Sequence, residues 1–303
     1  MIAALAPLFT GPLADWHDAL VLTSGGRPVV RLARLLDDDP SELARCIASF
    51  GRDTPGGDPR ALASEWSKRY FVRLLPPVLA ATLLLDYRLP LRAAGIDVVL
   101  DADGAPFAFA LPGAGSCTTP PSGGALARLA PLIDEHLAPV IAALSAYSRL
   151  SPRVFWSNAG NYVEAVVRVL ATEGAGSAQA REPRSAADAL EVEKHRGAAD
   201  ALTVAKHPGA AFVLDVVNQT YRPDGRANPF FNTVRYRDRP DAPPSRGHDG
   251  DDLVMSRAPD RRWRQRRVCC VRYLLPDRPL CANCPLLSAP PSDTGPEPTP
   301  PAR

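Results

Sequence analysis

Six cysteines stand in the chain, and four of them, Cys269, Cys270, Cys281 and Cys284, fall within sixteen residues. The spacing is Cys-Cys, ten residues, then Cys-x-x-Cys. Neighbouring Cα atoms lie about 3.8 Å apart across a trans peptide, closer than the roughly 4.4 to 6.8 Å of a relaxed disulfide, so an adjacent pair does not bridge itself. In a reducing compartment a thiol cluster points to metal or redox chemistry before structural disulfides. Thiolates are soft donors suited to zinc or to iron–sulfur clusters. Structural zinc commonly takes two Cys-x(2 to 4)-Cys knuckles, whose intervening residues turn both sulfurs onto one ion. Cys269-Cys270 has no room for such a knuckle. Its sulfurs more naturally reach two different metal centres, which a two-iron cluster offers and a single zinc does not. A zinc-stabilised four-cysteine interaction module without redox activity is the alternative these residues leave open. Cys46 and Cys117 are isolated and are expected to be inert buried thiols.

The stretch Arg266-Arg-Val-Cys-Cys-Val-Arg-Tyr273, followed by Leu275-Pro276 and Cys281-Ala-Asn-Cys-Pro285, resembles the C-terminal signature of the bacterial ferric-siderophore reductases of the FhuF type. Phe155-Trp-Ser-Asn158 resembles a Trp-x-Asn stretch of the same family. The resemblance implies that Cys269, Cys270, Cys281 and Cys284 hold a 2Fe-2S cluster. It implies a mainly helical α+β fold: a helical body with a small antiparallel β element and a C-terminal iron–sulfur segment. The implied activity is reduction of ferric siderophore complexes by one-electron transfer, releasing ferrous iron. One departure is the link between the cysteine pairs, which usually contains glycine in the family and here reads Asp277-Arg-Pro279.

Reducing a chelated ferric ion needs an electron and a docking surface but no nucleophile, because ferrous iron is held less tightly by hard oxygen ligands and then leaves. The sequence has no Gly-x-Ser-x-Gly elbow, phosphate loop or dinucleotide fingerprint. Electrons are therefore expected from a protein donor, ferredoxin-like or a flavoprotein. Arg257, Arg261, Arg262, Arg264, Arg266, Arg267 and Arg272 surround the first cysteine pair against one acid, Asp260. Of these, Arg264, Arg266, Arg267 and Arg272 are candidates for docking an acidic donor or an anionic chelate, and for offsetting the charge that reduction adds. The competing reading is a solvated arginine-rich strand. Nucleic acid is not expected as a partner, since Trp263 is the one aromatic in the patch. Trp156, Asn158 and Asn161 are candidates to line a chelate pocket, with a packed tryptophan and a helix cap as the plainer reading.

These residues need a body to hold them. Prolines number 33 in 303 residues, about twice the usual share of about 5 percent, so breaks are frequent. Hydrophobic residues at 46% and charged residues at 22% still support a sizeable core. The formal net charge is only +2, and the only lysines are Lys68, Lys194 and Lys206, which leaves arginine to carry the positive charge. The first dozen residues lack a basic n-region, which argues against a signal peptide. The longest apolar run, Leu74 to Leu85, contains Pro76 and Pro77 and is shorter than the roughly 20 residues of a membrane span. A cytoplasmic chain is expected, at most loosely associated with the inner membrane and with no transmembrane segment.

Four regions follow: a helical part with a short β-hairpin over 1–172, a low-complexity insertion over 173–210, a part ending in the cysteine motif over 211–284, and a disordered Pro-rich tail over 285–303. In the first, Asp39-Pro-Ser-Glu42 opens a helix running to Phe50. Leu62 to Leu85 reads as helix broken near Pro76, and Ile96–Leu100 and Phe107–Leu111 read as strands around Asp101-Ala-Asp-Gly104. That turn lacks the third acid and the later glutamate of a calcium loop. Leu126 to Leu144 keeps helical spacing, with kinks expected at Pro131 and Pro139, and its His136 has no second histidine one turn away to make a ligand pair. From Ser157-Asn158 a helix carries the stripe Val163, Val166, Val167, Leu170. The insertion holds a twelve-residue repeat, Ala186-Ala-Asp-Ala-Leu190 with Lys194-His195, then Ala198-Ala-Asp-Ala-Leu202 with Lys206-His207. A small tandem duplication in a surface loop explains both histidines more simply than a metal site does. Phe212–Val217 reads as a buried strand, Arg222-Pro-Asp-Gly225 as a turn, and 237–252 as a surface loop.

Overall fold

The computed structural model describes residues 2–119, 121–177, 209–238 and 262–288. The twelve-residue repeat, most of the loop expected over 237–252 and most of the expected tail lie outside them. Chain order is β1 (Leu20–Val21), β2 (Val29–Arg31), α1 (Leu32–Leu35), α2 (Ser41–Phe50), α3 (Pro59–Leu84), β3 (Tyr87–Arg88), β4 (Asp97–Leu100), β5 (Pro106–Ala110), β6 (Ser116–Cys117) and α4 (Gly124–Arg128). A π-helical turn at Leu132–Leu137 then leads into α5 (Ala138–Ser148) and α6 (Pro152–Ser177), followed by α7 (Ala210–Asn218), β7 (Val234–Asp238) and β8 (Arg262–Arg266). The fold is α+β and mainly helical, with α3 and α6 packed against each other at its centre.

α2 begins one residue later than expected, with Pro40 at the cap and Asp39 Oδ1 still accepting the Ser41 N–H at 3.0 Å. The Asp58 carboxylate accepts the Arg60 N–H at 2.9 Å and Pro59 takes the first helical position of α3. The break expected near Pro76 does not occur. Prolines at 76 and 77 remove the N–H groups that would bond the carbonyls of Val72 and Arg73, and the indole N–H of Trp16 donates to the Val72 carbonyl at 2.7 Å. A distant side chain thus satisfies a group freed by proline, and the helix runs on through buried Leu74, Leu75, Val78 and Leu79.

The expected hairpin is present as β4 and β5, with Asp101 Oδ1 accepting the Asp103 and Ala105 N–H groups and Gly104 at φ +80°. It belongs to a larger sheet than expected, ordered β1-β5-β4-β2, in which β1 runs parallel to β5. The Trp66 indole on α3 donates to the Gly104 carbonyl at 3.2 Å, fixing the hairpin against the helices. His136 is fully buried in the π-turn. Its Nδ1–H donates to the Leu91 carbonyl at 2.9 Å, and its Nε2 accepts the Tyr70 hydroxyl at 2.6 Å. Burial, only partly offset by the Leu91 carbonyl, lowers its pKa to about 4.

Two further expectations are corrected. Phe212–Val217 lies in helix α7, not a strand; a short apolar run fits either state, and Val213, Val216 and Val217 take the helical spacing that buries them with α6. α6 starts at Pro152 rather than at Ser157-Asn158, with the Ser151 hydroxyl accepting the Arg153 N–H at 3.3 Å. Its stripe of Val163, Val166, Val167 and Leu170 is buried as expected. Cys46 is buried, but Cys117 is exposed on β6. One apolar core joins residues from Ile2 to Phe230, so α7 and the turn after it pack with the N-terminal helices. Among the described residues no helix is long and apolar enough to cross a membrane.

Candidate metal centre

β8 carries the sequence into the cysteines and pairs antiparallel with β7, Val234 opposite Arg266 and Tyr236 opposite Arg264. Side chains alternate along a strand, and both faces of β8 are buried. On one face, Arg264 Nε–H donates to Glu164 of α6 at 2.5 Å, Nη1–H donates to Asn161 Oδ1 at 2.8 Å, and Nη2–H donates to the Asn161 carbonyl. Two residues on, an Arg266 Nη2–H donates to Asn158 Oδ1. On the opposite face, the Trp263 indole donates to the Ala282 carbonyl at 3.1 Å, and Gln265 Nε2–H donates to the carbonyls of Cys284 and Leu287 at 2.9 and 2.8 Å. The Arg266 N–H also donates to the Asn283 carbonyl at 2.9 Å. β8 therefore clamps the Cys281–Cys284 loop onto α6. Gly160 lets β7 approach, since a Cβ there would meet the Thr233 side chain at 2.5 Å.

The four sulfurs form two pairs. Cys270 Sγ and Cys281 Sγ are 3.3 Å apart, and Cys269 and Cys284 act on each other's titration. Each partner of the adjacent Cys269-Cys270 dipeptide thus reaches a different sulfur of the Cys-x-x-Cys loop. Val271 turns the chain after the pair at φ +55°, an uncommon conformation for a β-branched residue, and its N–H lies 3.4 Å from Cys269 Sγ. Asp277 takes φ +54° in the link between the pairs; a short polar side chain visits this region more easily than most, which accounts for a link without glycine.

The surroundings of the pairs differ. Lys68 of α3, whose side chain is only 12% exposed, ion-pairs with Glu65 and points its Nζ at Cys281 Sγ from 3.6 Å. Arg266 and Arg272 also act electrostatically on this pair. Burial opposes the Lys68 charge, but Cys270, Glu65 and Cys281 outweigh it and raise its pKa above the ordinary lysine value. The shared hydrogen bond from Cys281, aided by Lys68 and Arg266, holds the Cys270 thiol well below its usual range, while Cys281 is pushed up as the proton-holding partner. Cys284 is lowered and Cys269 raised in the same way, and the backbone N–H groups of Val271 and Leu286 bond to that pair.

This arrangement suits a two-metal cofactor. Two thiolates on one tetrahedral ion at about 2.3 Å stand about 3.8 Å apart, close to the 3.3 Å of Cys270 and Cys281 and far from a disulfide of about 2.05 Å. Among the described residues no three Cys, His, Asp or Glu side chains surround one point as ligands of a single ion. Among the described residues, the buried Nε–H groups of Arg266 and Arg272 find no acceptor, as donors facing an inorganic sulfide or a thiolate would.

Trp156, Asn158 and Asn161, the residues expected to line a chelate pocket, lie on α6. Asn158 is fully buried, its amide donating to Ser64 Oγ at 3.0 Å and Ser67 Oγ at 2.9 Å on α3. Asn161 Oδ1 also accepts from Asn283 at 2.9 Å, and Trp156 is half-buried edge-on to Phe230. Of the expected docking arginines, Arg264 and Arg266 are buried, Arg272 is half-buried and Arg267 is exposed. Sequence reasoning missed Lys68, Glu65, Glu164, Gln265 and Tyr236. Lys68 did carry a signal, as the single lysine outside the repeat in a chain that otherwise uses arginine.

A four-thiol site backed by buried cations is a metal centre suited to an iron–sulfur cluster. Residues 64–243 match the family model described as ferric iron reductase FhuF-like transporter, and residues 266–286 match that of the FhuF 2Fe-2S C-terminal domain. The chain belongs to this family of ferric iron reductases, and its cofactor is a 2Fe-2S cluster. No curated protein matches it.

Proposed function

We propose that the chain reduces ferric siderophores by one-electron transfer in the cytoplasm, fed by a ferredoxin-like or flavoprotein donor. Cys269, Cys270, Cys281 and Cys284 would hold the cluster through their four thiolates. A 2Fe-2S cluster supplies electrons one at a time, and its potential follows local charge, hydrogen bonds to sulfur and exposure. The chain's own residues then have three tasks. β8, through Arg264, Gln265 and Trp263, holds the two cysteine segments in register. Asn158 and Asn161 serve that clamp rather than the chelate. Arg267, exposed beside the first cysteine pair, meets the acidic donor or the anionic chelate. The ferric ion leaves as ferrous iron once reduced, because its oxygen ligands hold the lower charge less tightly.

The observation that carries this reading is the approach of Cys270 to Cys281, sulfur to sulfur at 3.3 Å, across the two halves of the cysteine motif. Anaerobically purified protein should be red-brown, contain two irons, and bleach with dithionite. Cys269→Ser, Cys270→Ser, Cys281→Ser and Cys284→Ser should each lose or greatly destabilise the cluster, whereas Cys46→Ser and Cys117→Ser should retain it. A colourless wild type with one zinc would instead establish the interaction module, and a Cys270→Ser protein with normal iron and spectrum would remove that residue from the ligand set.

A further inference from the structure

The two sulfur pairs share one loop yet face different surroundings. Among the described residues, the cations Lys68, Arg266 and Arg272 act on Cys270 and Cys281, and Glu65 is the anion paired with Lys68. The other pair is served by backbone N–H groups. Lys68 differs from the two arginines in origin. They precede and follow the first cysteine pair in the chain, whereas Lys68 reaches the site from α3, 213 residues away from Cys281. A lysine side chain covered this far is costly unless its charge is used, and Glu65 alone offers only a partner one turn back on the same helix. Its Nζ lies within hydrogen-bond range of a thiol sulfur.

We propose that Lys68 is a positioning residue of the iron–sulfur centre: by donating a hydrogen bond to Cys281 Sγ and fixing a buried positive charge there, it raises the reduction potential and makes the Cys270–Cys281 half the one that accepts the electron. The inference rests on the four-cysteine reading above. One electron from the donor takes two ferric ions to one ferric and one ferrous; the donor is oxidised by one electron, and no bond is made or broken. The site gains one negative charge, which a nearby ammonium stabilises more in the reduced than in the oxidised form. Glu65 is the counterweight, because its carboxylate screens part of the Lys68 charge. Removing either member of the pair should therefore move the potential in opposite directions, which a purely structural role for the pair would not do.

Protein-film voltammetry and resonance Raman spectroscopy on anaerobic holoprotein test this. Lys68→Gln should shift the reduction equilibrium at least tenfold towards the oxidised state, 59 mV for one electron, and change the Fe–S(Cys) stretching bands. Lys68→Arg should restore the potential, and Glu65→Gln should raise it. Lys68→Gln with full iron content and a wild-type potential would overturn the proposal, as would a Glu65→Gln potential that is unchanged or lower. Should Lys68→Gln fail to load iron, Glu65→Gln alone decides. A wild type without the cluster spectrum would instead overturn the underlying reading.

Discussion

Helices α3 and α6 meet through two regions of opposite chemistry. Towards their C-terminal parts the contact is apolar, with Phe71, Leu74, Leu75 and Val78 of α3 sharing one core with Val163, Val166, Val167 and Leu170 of α6. Towards their N-terminal parts it is polar and equally buried: Ser64 and Ser67 hold Asn158, and Asn158, Asn161 and Glu164 hold the arginines of β8. Apolar contact is non-directional and tolerates repacking. Each hydrogen bond in the polar seam has one geometry, and a missing partner there leaves a buried group unpaired. The apolar region makes the body stable, and the polar region fixes where the cysteine segment sits on it.

The largest effect that separates the two regions is expected at Arg264. Arg264→Met leaves Glu164, with a side chain 6% exposed, short of its main counter-charge and should cost about 3 to 5 kcal/mol. Arg264, Arg168 and the Tyr236 hydroxyl together hold the Glu164 carboxyl below its usual range against the burial that pushes it up. Leu74→Ala in the apolar region should cost a similar amount, about 2 to 5 kcal/mol. Urea titration gives both losses, and iron content with the visible spectrum tells them apart. Arg264→Met should release iron below the unfolding midpoint, whereas Leu74→Ala should keep its cluster until it unfolds. Equal iron loss in both would mean that the seam is ordinary core.

The same division explains what could be read from the sequence. Periodicity marks apolar faces, so the α2 start, the hairpin around Asp101, the α6 stripe and the broken helices near Pro131 were legible. The cysteine spacing was legible because its geometry is local. The continuity of α3 through Pro76 was not, since it depends on an indole sixty positions upstream in the chain. α7 read as a strand because five apolar residues around a single Asp215 carry no clear period of their own. The inward direction of Arg264 and Arg266 was hidden for a related reason: their partners Glu164 and Asn158 lie 100 and 108 residues away. A strand that is polar on both buried faces shows no alternation to detect.

A smaller effect tests whether the apolar region contains a titrating group that the seam does not need. His136 is neutral in the fold with a pKa of about 4, against about 6.5 when unfolded. Its contribution is complete above pH 6.5 and is lost as pH falls towards 4, because the unfolded chain takes up a proton that the folded one refuses. The full window corresponds to about 3 kcal/mol, of which about 2 fall between pH 6.5 and pH 5. Urea titrations at pH 7 and pH 5 should show this loss in wild type and not in His136→Gln. The potential should be the same in both proteins at either pH. An identical pH slope in the two proteins would place a charged His136 in the fold.

The smallest expected difference lies between two adjacent arginines. Arg266 is 2% exposed and acts on Cys270 and Cys281, whereas Arg267 is exposed and leaves the strand on the solvent side. Water and salt screen an exposed charge far more than a buried one. Arg266→Gln should therefore lower the reduction potential, since it removes a charge that favours the reduced state. Arg267→Gln should leave the potential nearly unmoved, whatever it does to donor docking. Arg266→Lys separates charge from clamp: it keeps the positive charge but not the planar fork that reaches Asn158, so its potential should stay closer to wild type than that of Arg266→Gln. Film voltammetry on the three variants decides the matter. If Arg267→Gln moved the potential as far as Arg266→Gln, alternation along β8 would not control the cluster's charge environment, and the distinction between clamp and surface at this strand would fall.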